Sequence, residues 1–391
     1  ASTFTGATII SAGRLILDGG DNRLSTSASL TLGGTGVLQL GGATTADQTI
    51  TDLSAVAGAS LVGGNSSVST LTINQNTNTT YAGLIGGAGT NENNIAIVKM
   101  GLGTLTLGAT ASTFTGGITI KSGSVIGGNN SNTFGASTNI ITLGDTSGSA
   151  DASVTFFNTA SGYANPIVVA SGSTGAATIF LGTTSGGPVL SGGITLNRDL
   201  IIAKEGTSGS SSISGGITGT GNVIISNNAT TGTITLSTTS VNFTGTITNS
   251  GLATGSTTIS AVIGTSLTGI IQNSTTSSLT LGAVANLLTG LDTRYLLLSG
   301  GTVSGNLIVS GTTTLNSVTK VGTNLVTNLN ADLLDGNHAS AFALSSHSHA
   351  YEPVIIAGTT AQYWRGDKTW QTMPAFPSIS AANTQVLYMS G

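Results

Sequence analysis

The chain contains no cysteine, so disulfides, thiolate nucleophiles and Cys-based zinc sites are all excluded. Proline is almost absent, with five residues in 391, and only 6% of the residues are charged. Ten Lys and Arg against 14 Asp and Glu leave a formal net charge of −4. The ten cations are scattered rather than gathered into a stripe, which argues against nucleic acid as a ligand. No apolar run approaches the ~18 residues that a membrane-crossing helix needs. Aromatics make up 4% of the chain. It opens on Ala1 without an initiator Met, signal or transit peptide, as expected of a processed product or a piece of a longer polypeptide.

Against these absences stand 38% hydrophobic residues and 58 glycines. Sparse charge accompanies disorder only where apolar residues are also sparse, so this chain has enough apolar surface to fold. From Ala1 to Asn286 it cycles through phrases such as "SLTLGG", "TLTLGA", "GITIKSG", "NVIISN" and "TITLST". Each alternates an apolar residue with Thr, Ser or Gly and stops at Gly or Asn. That is the period-2 signature of short strands with one buried face. Helical spacing and capping boxes are missing, so the fold class is all-β. A β-solenoid accounts for the combination best: coils stack, small polar side chains form ladders outside, and glycine takes the corners. A pair of jelly rolls or sandwiches is the competing arrangement.

The phrase "STFTG" occurs at 2–6 and 112–116, and "NFTG" follows at 242–245. The stretch Lys99 to Gly128, "KMGLGTLTLGATASTFTGGITIKSGSVIGG", resembles the autotransporter-associated β-strand repeat, with partial copies at Ala1–Leu17 and Gly221–Gly251. That resemblance implies a β-helix of the kind found in bacterial surface proteins and viral fibres. On this view Phe4, Phe114 and Phe243 plug coil corners from inside, since an aromatic between two Thr or Asn residues faces opposite to them. The phrase recurs after 110 residues and then after 129, so loops of variable length must intervene.

From Leu287 the text changes. "LDTRYLLLSGGTVSGNLIVSGTTTLNSV" (291–318), "NLNADLLDGNHASAFALSSHSHA" (328–350) and "GTTAQYWRGDKTWQTM" (358–373) resemble the short repeats of phage tail fibres, and "NTQVLYMSG" at the end resembles the opening of another. Residues 287–391 therefore form a second region, expected to be a trimeric fibrous β-shaft. The resemblance implies a homotrimer, because a narrow shaft with few large apolar residues cannot bury a core alone. Leu296, Leu298, Leu307 and Val309 are the residues expected toward the shared axis. The plain alternative is a monomer with a poorly ordered tail.

His347-Ser348-His349 is the one phrase with metal-ligating spacing, since residues i and i+2 of a strand face the same side. In a trimer it would offer six imidazoles, an octahedral set for a divalent metal such as iron, nickel or zinc. Paired neutral His in a turn is the alternative, and His338 stands alone. For catalysis, glycoside cleavage needs two carboxylates about 5 to 10 Å apart. Asp18 with Asp21, Asp47 with Asp52, and Asp332 with Asp335 are the close acidic pairs, but both Trp residues, Trp364 and Trp370, lie far along the chain. No nucleophile elbow or phosphate loop appears, so an enzyme is not expected. Two classes remain: a tail fibre or spike shaft of a bacteriophage virion, touching tail or baseplate proteins at one end and a host receptor at the other, or a bacterial surface adhesin of the autotransporter-passenger type.

Overall fold

The computed structural model describes residues 2–108, 110–157, 162–182, 187–206, 208–282 and 356–375, and the backbone of the strand Tyr295–Leu298. Among the described residues there is no helix. The chain divides into two compact units, Ala1–Val309 and Ser310–Gly391.

The first unit is a parallel β-solenoid of about 11 turns. Each coil crosses three walls. In an early coil these are Leu30–Leu32, Val37–Leu40 and Gln48–Ile50, and in the next Leu53–Ala55, Ser60–Gly63 and Ser69–Asn74. The pairing is parallel throughout, with Leu30 beside Leu53, Leu38 beside Leu61 and Ile50 beside Ile73. An antiparallel sandwich is thereby excluded for this unit. Coil length is not fixed: 20 residues separate Leu105 from its neighbour Val125, and 29 separate Val125 from Val154.

The alternation read from the sequence gives the walls their two faces. Leu105, Val125, Val154, Ile179, Ile202 and Ile225 line up on the inside of the first wall, each without solvent exposure. Burial of each aliphatic side chain in such a file contributes roughly 1.5–3 kcal/mol. Glycine is required where corners stack most tightly. Gly101 and Gly123 take φ of 73° and 71°. A β-carbon at Gly101 would run into the carbonyl of Gln75, and one at Gly123 into that of Gly101.

The second wall is interrupted. Its strands run to Leu84–Ile85 and resume at Val189–Leu190. Between them the interior is closed by aromatic rings. Phe134, Phe156 and Tyr163 pack with centroids 5.1, 5.9 and 4.9 Å apart, and the Tyr163 hydroxyl donates to the Gly128 carbonyl at 3.1 Å.

Phe114 and Phe243 are fully buried, but Phe4, expected inside with them, is 43% exposed. It precedes the strand Thr8–Ile10 of the first described coil, which among the described residues pairs on one side only, with Leu30–Leu32. The three phrases also occupy different corners. Phe114 precedes the third-wall strand Ile118–Ile120. Phe243 lies within Val241–Asn249, a strand that pairs with the third wall at Val241 and, past an irregularity at Gly245, with the first wall at Ile247. The phrase thus does not mark one position in the coil: it precedes a strand at Phe4 and Phe114 and lies within one at Phe243.

The solenoid extends past residue 286 as far as the described chain allows. Leu296 and Leu298 lie on Tyr295–Leu298, which pairs in parallel with Leu267–Gln272, so that Leu296 adjoins Ile270 and Leu298 adjoins Gln272. In the second unit the described residues form a hairpin, Gln362–Trp364 antiparallel to Trp370–Thr372.

Candidate functional surface

Polar groups inside the solenoid sit where strands end. The parity of "IAIVKM" places Lys99 in phase with Ile95 and Ile97, beside Ile73 and Ile120 of the flanking coils. Its side chain has no solvent exposure. The Nζ donates to the carbonyls of Met100 at 2.8 Å, Gly101 at 2.9 Å and Ser122 at 3.4 Å. Burial pushes its pKa down to about 8. Lys204 ends Leu200–Lys204 in the same way and donates to Leu181 and Gly182, with its pKa also lowered by burial. Asn227, Asn249 and Gln272 continue the device in later coils: the Asn249 amide donates to Gln272 Oε1 at 2.8 Å, and the Gln272 amide to the Ser277 carbonyl at 2.7 Å. These heads donate to corner carbonyls, so that the buried polar atoms are paired with one another.

The described carboxylates bond along the axis. Asp18 accepts from the backbone N–H groups of Gly19, Ala43 and Thr44, which hold its pKa down at about 2. Asp21 accepts from the Asp47 amide at 3.0 Å, and Asp47 in turn from the Thr70 amide at 2.7 Å. Asp52 accepts from the Thr77 hydroxyl, Asp151 from the Ala176 amide and Asp199 from the Asn222 amide. Asn22, Asn76, Asn78 and Asn222 do the same through their side-chain carbonyls. The pairs Asp18/Asp21 and Asp47/Asp52 thus serve as ties from one coil to the next. Glu92 folds back over two coils to meet Arg14 at 2.8 Å, and that hydrogen bond lowers its pKa. Arg198 spans coils through Ala170 and Gly175, and its Nη2 is buried without a hydrogen-bond partner.

Outside, the walls differ. The third wall carries a file of β-branched residues, Thr72, Val98, Thr119, Thr142, Val168 and Thr195, each paired to the next. The outer file of the first wall starts at the exposed Ile9, continues with hydroxyls, Thr31 bonding Ser54 at 3.1 Å, and in later coils mixes Ile126, Phe180 and Ile201 with Thr155 and Thr178. In the second unit Trp364 stands opposite Trp370, edge to face at 5.1 Å, and the Trp370 indole N–H donates to the Ile356 carbonyl at 2.8 Å. The described residues there are all exposed or half-exposed.

Of the residues singled out by sequence, Phe114 and Phe243 lie inside the solenoid, while Leu296 and Leu298 are placed by backbone alone. Leu307, Val309, His338, His347, His349, Asp332 and Asp335 lie outside the described residues. Among the described residues no three His, Cys, Asp or Glu side chains gather as a metal-binding group. Sequence reasoning passed over Lys99, Lys204 and the interior amides, although their parity with neighbouring Ile and Leu carried the signal. No protein-family model matches this chain, and no curated protein or solved structure matches it either.

Proposed function

We propose that this chain is a structural fibre of a bacteriophage virion, a tail fibre or spike shaft that takes part in host-surface attachment as a homotrimer. The observation that carries the reading is a conjunction in one chain. A stacked solenoid whose carboxylates tie coil to coil is followed by three fibre-like phrases between 291 and 373. Such a stack is suited to bearing load and presenting loops, and its side-chain ties run along the axis. The C-terminal region supplies the threefold association, with Leu307 and Val309 toward the axis and His347 and His349 offering imidazoles to one divalent metal per trimer. Tail or baseplate proteins and a host polysaccharide or protein receptor are the partners this role requires. The virion surface is its place.

The test has two parts. Light scattering of the purified chain should return about three times its 38.3 kDa mass. Antibodies raised against the solenoid should decorate phage particles and block their adsorption. Failure to label particles carrying the gene defeats the reading. The second reading, a bacterial passenger rod, is favoured by the repeat-like stretch Lys99 to Gly128. Neighbouring genes separate the two, since tail or baseplate proteins accompany a fibre and a translocation barrel accompanies a passenger.

A further inference from the structure

The loop joining Leu84–Ile85 to Ile95–Met100 leaves its own coil, the fourth counting from that of Thr8–Ile10, and doubles back along the stack. On the third coil the Gly63 amide donates to the Glu92 carbonyl at 3.0 Å, and the Asn94 side-chain amide donates to the carbonyls of Asn65 at 3.0 Å and Ser66 at 3.1 Å. Glu92 Oε1 accepts from Arg14 Nη2 of the first coil at 2.8 Å, and Arg14 Nη1 donates to Gln39 Oε1 of the second at 2.7 Å. In the opposite direction, Asn93 Oδ1 accepts from the Thr113 hydroxyl of the fifth coil at 2.6 Å, and the Asn93 carbonyl accepts from the Thr115 amide at 2.8 Å. The loop closes around the Glu92 side chain, which is 17% exposed and whose Oε2 accepts from the Gly89 amide at 2.9 Å. A β-carbon at Gly87 or Gly89 would run into that carboxylate, and one at Gly63 into the carbonyls of Asn91 and Asn94.

The first coil, at the far end of this reach, is the least supported. Among the described residues Thr8–Ile10 and Arg14–Leu17 each pair on one side only, with Leu30–Leu32 and Val37–Leu40. Stacked repeats lean on their nearest neighbours alone, so an end coil opens before the rest. We propose that the loop 86–94 is a strap that holds this end coil shut, with Arg14 and Glu92 as its latch. The device goes beyond the functional reading above and is the same for a fibre or a passenger rod. A pair between adjacent coils steadies its own corner, whereas this one couples opening of the first coil to strap contacts on the third and fifth. Such coupling is reciprocal, so releasing either end loosens the other.

Hydrogen exchange of the full chain, read by mass spectrometry on peptides covering 14–17, 86–94 and the distant strand Val223–Asn227, tests it. Glu92→Gln keeps the side-chain shape and removes the charge, and Arg14→Gln removes the cation. Lys121→Gln, which breaks the Lys121–Asp145 pair, controls for the loss of an ion pair elsewhere. Circular dichroism first verifies each fold, and the wild type at high salt, which screens a solvent-facing pair, repeats the test without a substitution. Expected is exchange about fivefold faster at both 14–17 and 86–94 in Glu92→Gln and in Arg14→Gln, the upper end for a surface pair because the Glu92 head is held in place. High salt should quicken the same two regions, while Val223–Asn227 stays unchanged throughout and Lys121→Gln leaves 14–17 as it was. Faster exchange confined to 86–94 in Glu92→Gln, or to 14–17 in Arg14→Gln, overturns the strap. So does an equal rise in all three regions, which marks a general loss of stability, or wild-type exchange at 14–17 that high salt leaves unaltered.

Discussion

Replacing Lys99 by Met tests whether the solenoid interior holds an ammonium against its own preference. The folded-state pKa of about 8 lies below the ordinary 10.5, because burial disfavours the charged form. The unfolded chain therefore binds this proton more tightly. Below pH 8 both states are protonated and the group adds no pH dependence. Between pH 8 and 10.5 the folded chain sheds the proton first, so stability rises with pH, and above 10.5 the gain is complete. At 1.36 kcal/mol per pH unit the gap sets a ceiling of about 3 kcal/mol. The ammonium lies at a corner and bonds three carbonyls, so screening and those bonds cut the expected gain to about 1–2 kcal/mol. In Lys99→Met the Met100 carbonyl still accepts from the Gln75 amide at 3.1 Å, and the Gly101 carbonyl from the Ser122 hydroxyl at 3.4 Å, so the corner is not stripped. The assay is urea unfolding followed by circular dichroism from pH 7 to 11 for both proteins. The difference, wild type minus variant, should climb across pH 8 to 10.5. A flat or falling difference would refute a strained buried ammonium.

Phe114→Ala should cost about 3–5 kcal/mol, read as a lowered urea midpoint, because the ring is fully enclosed at the wall interruption; a shift no larger than that of a surface substitution counts against the interior plug. For Asp18, whose folded pKa of about 2 lies below the ordinary 3.8, the stabilisation is present above pH 3.8 and fades as pH falls through 2. Asp18→Asn should flatten that acid limb, and an unchanged limb contradicts the assignment. In the fibre region, elemental analysis of purified trimer should find near one transition-metal ion per three chains. His347→Ala and His349→Ala should abolish it, and metal release should follow protonation near pH 6.5; metal-free trimers with unaltered stability in both variants rule the site out.

Strand content and the inward file of Ile, Leu and Val were legible because a strand's faces alternate with period two, and "ITI", "LTL" and "VLQL" state which face is which. The interior lysines obey the same parity, yet charge suggests a surface, and only the stacked corner shows the carbonyls that gather around the ammonium. The wall interruption was illegible because it depends on what lies above and below: Phe134 belongs to the coil before that of Phe156 and Tyr163, and it meets them only through stacking. Phe4 misled for a related reason, since its phrase matches that of Phe114 while its surroundings do not. The carboxylate pairs were close in sequence, but their partners lie a coil away, a separation that no local motif encodes.

Apart from the longer Arg14–Glu92 pair, those side-chain ties reach one coil, as Asp21 holds Asp47, Asp47 holds Thr70, and Asp199 holds Asn222, which holds Thr246. A coil duplicated or deleted outside the span of Arg14 and Glu92 would therefore leave ties of the same one-coil reach on either side. Length in such a molecule is a count that recombination can change by one without redesigning anything else. Each coil gained or lost changes the height of the stack by ~4.8 Å, the spacing of adjacent strands.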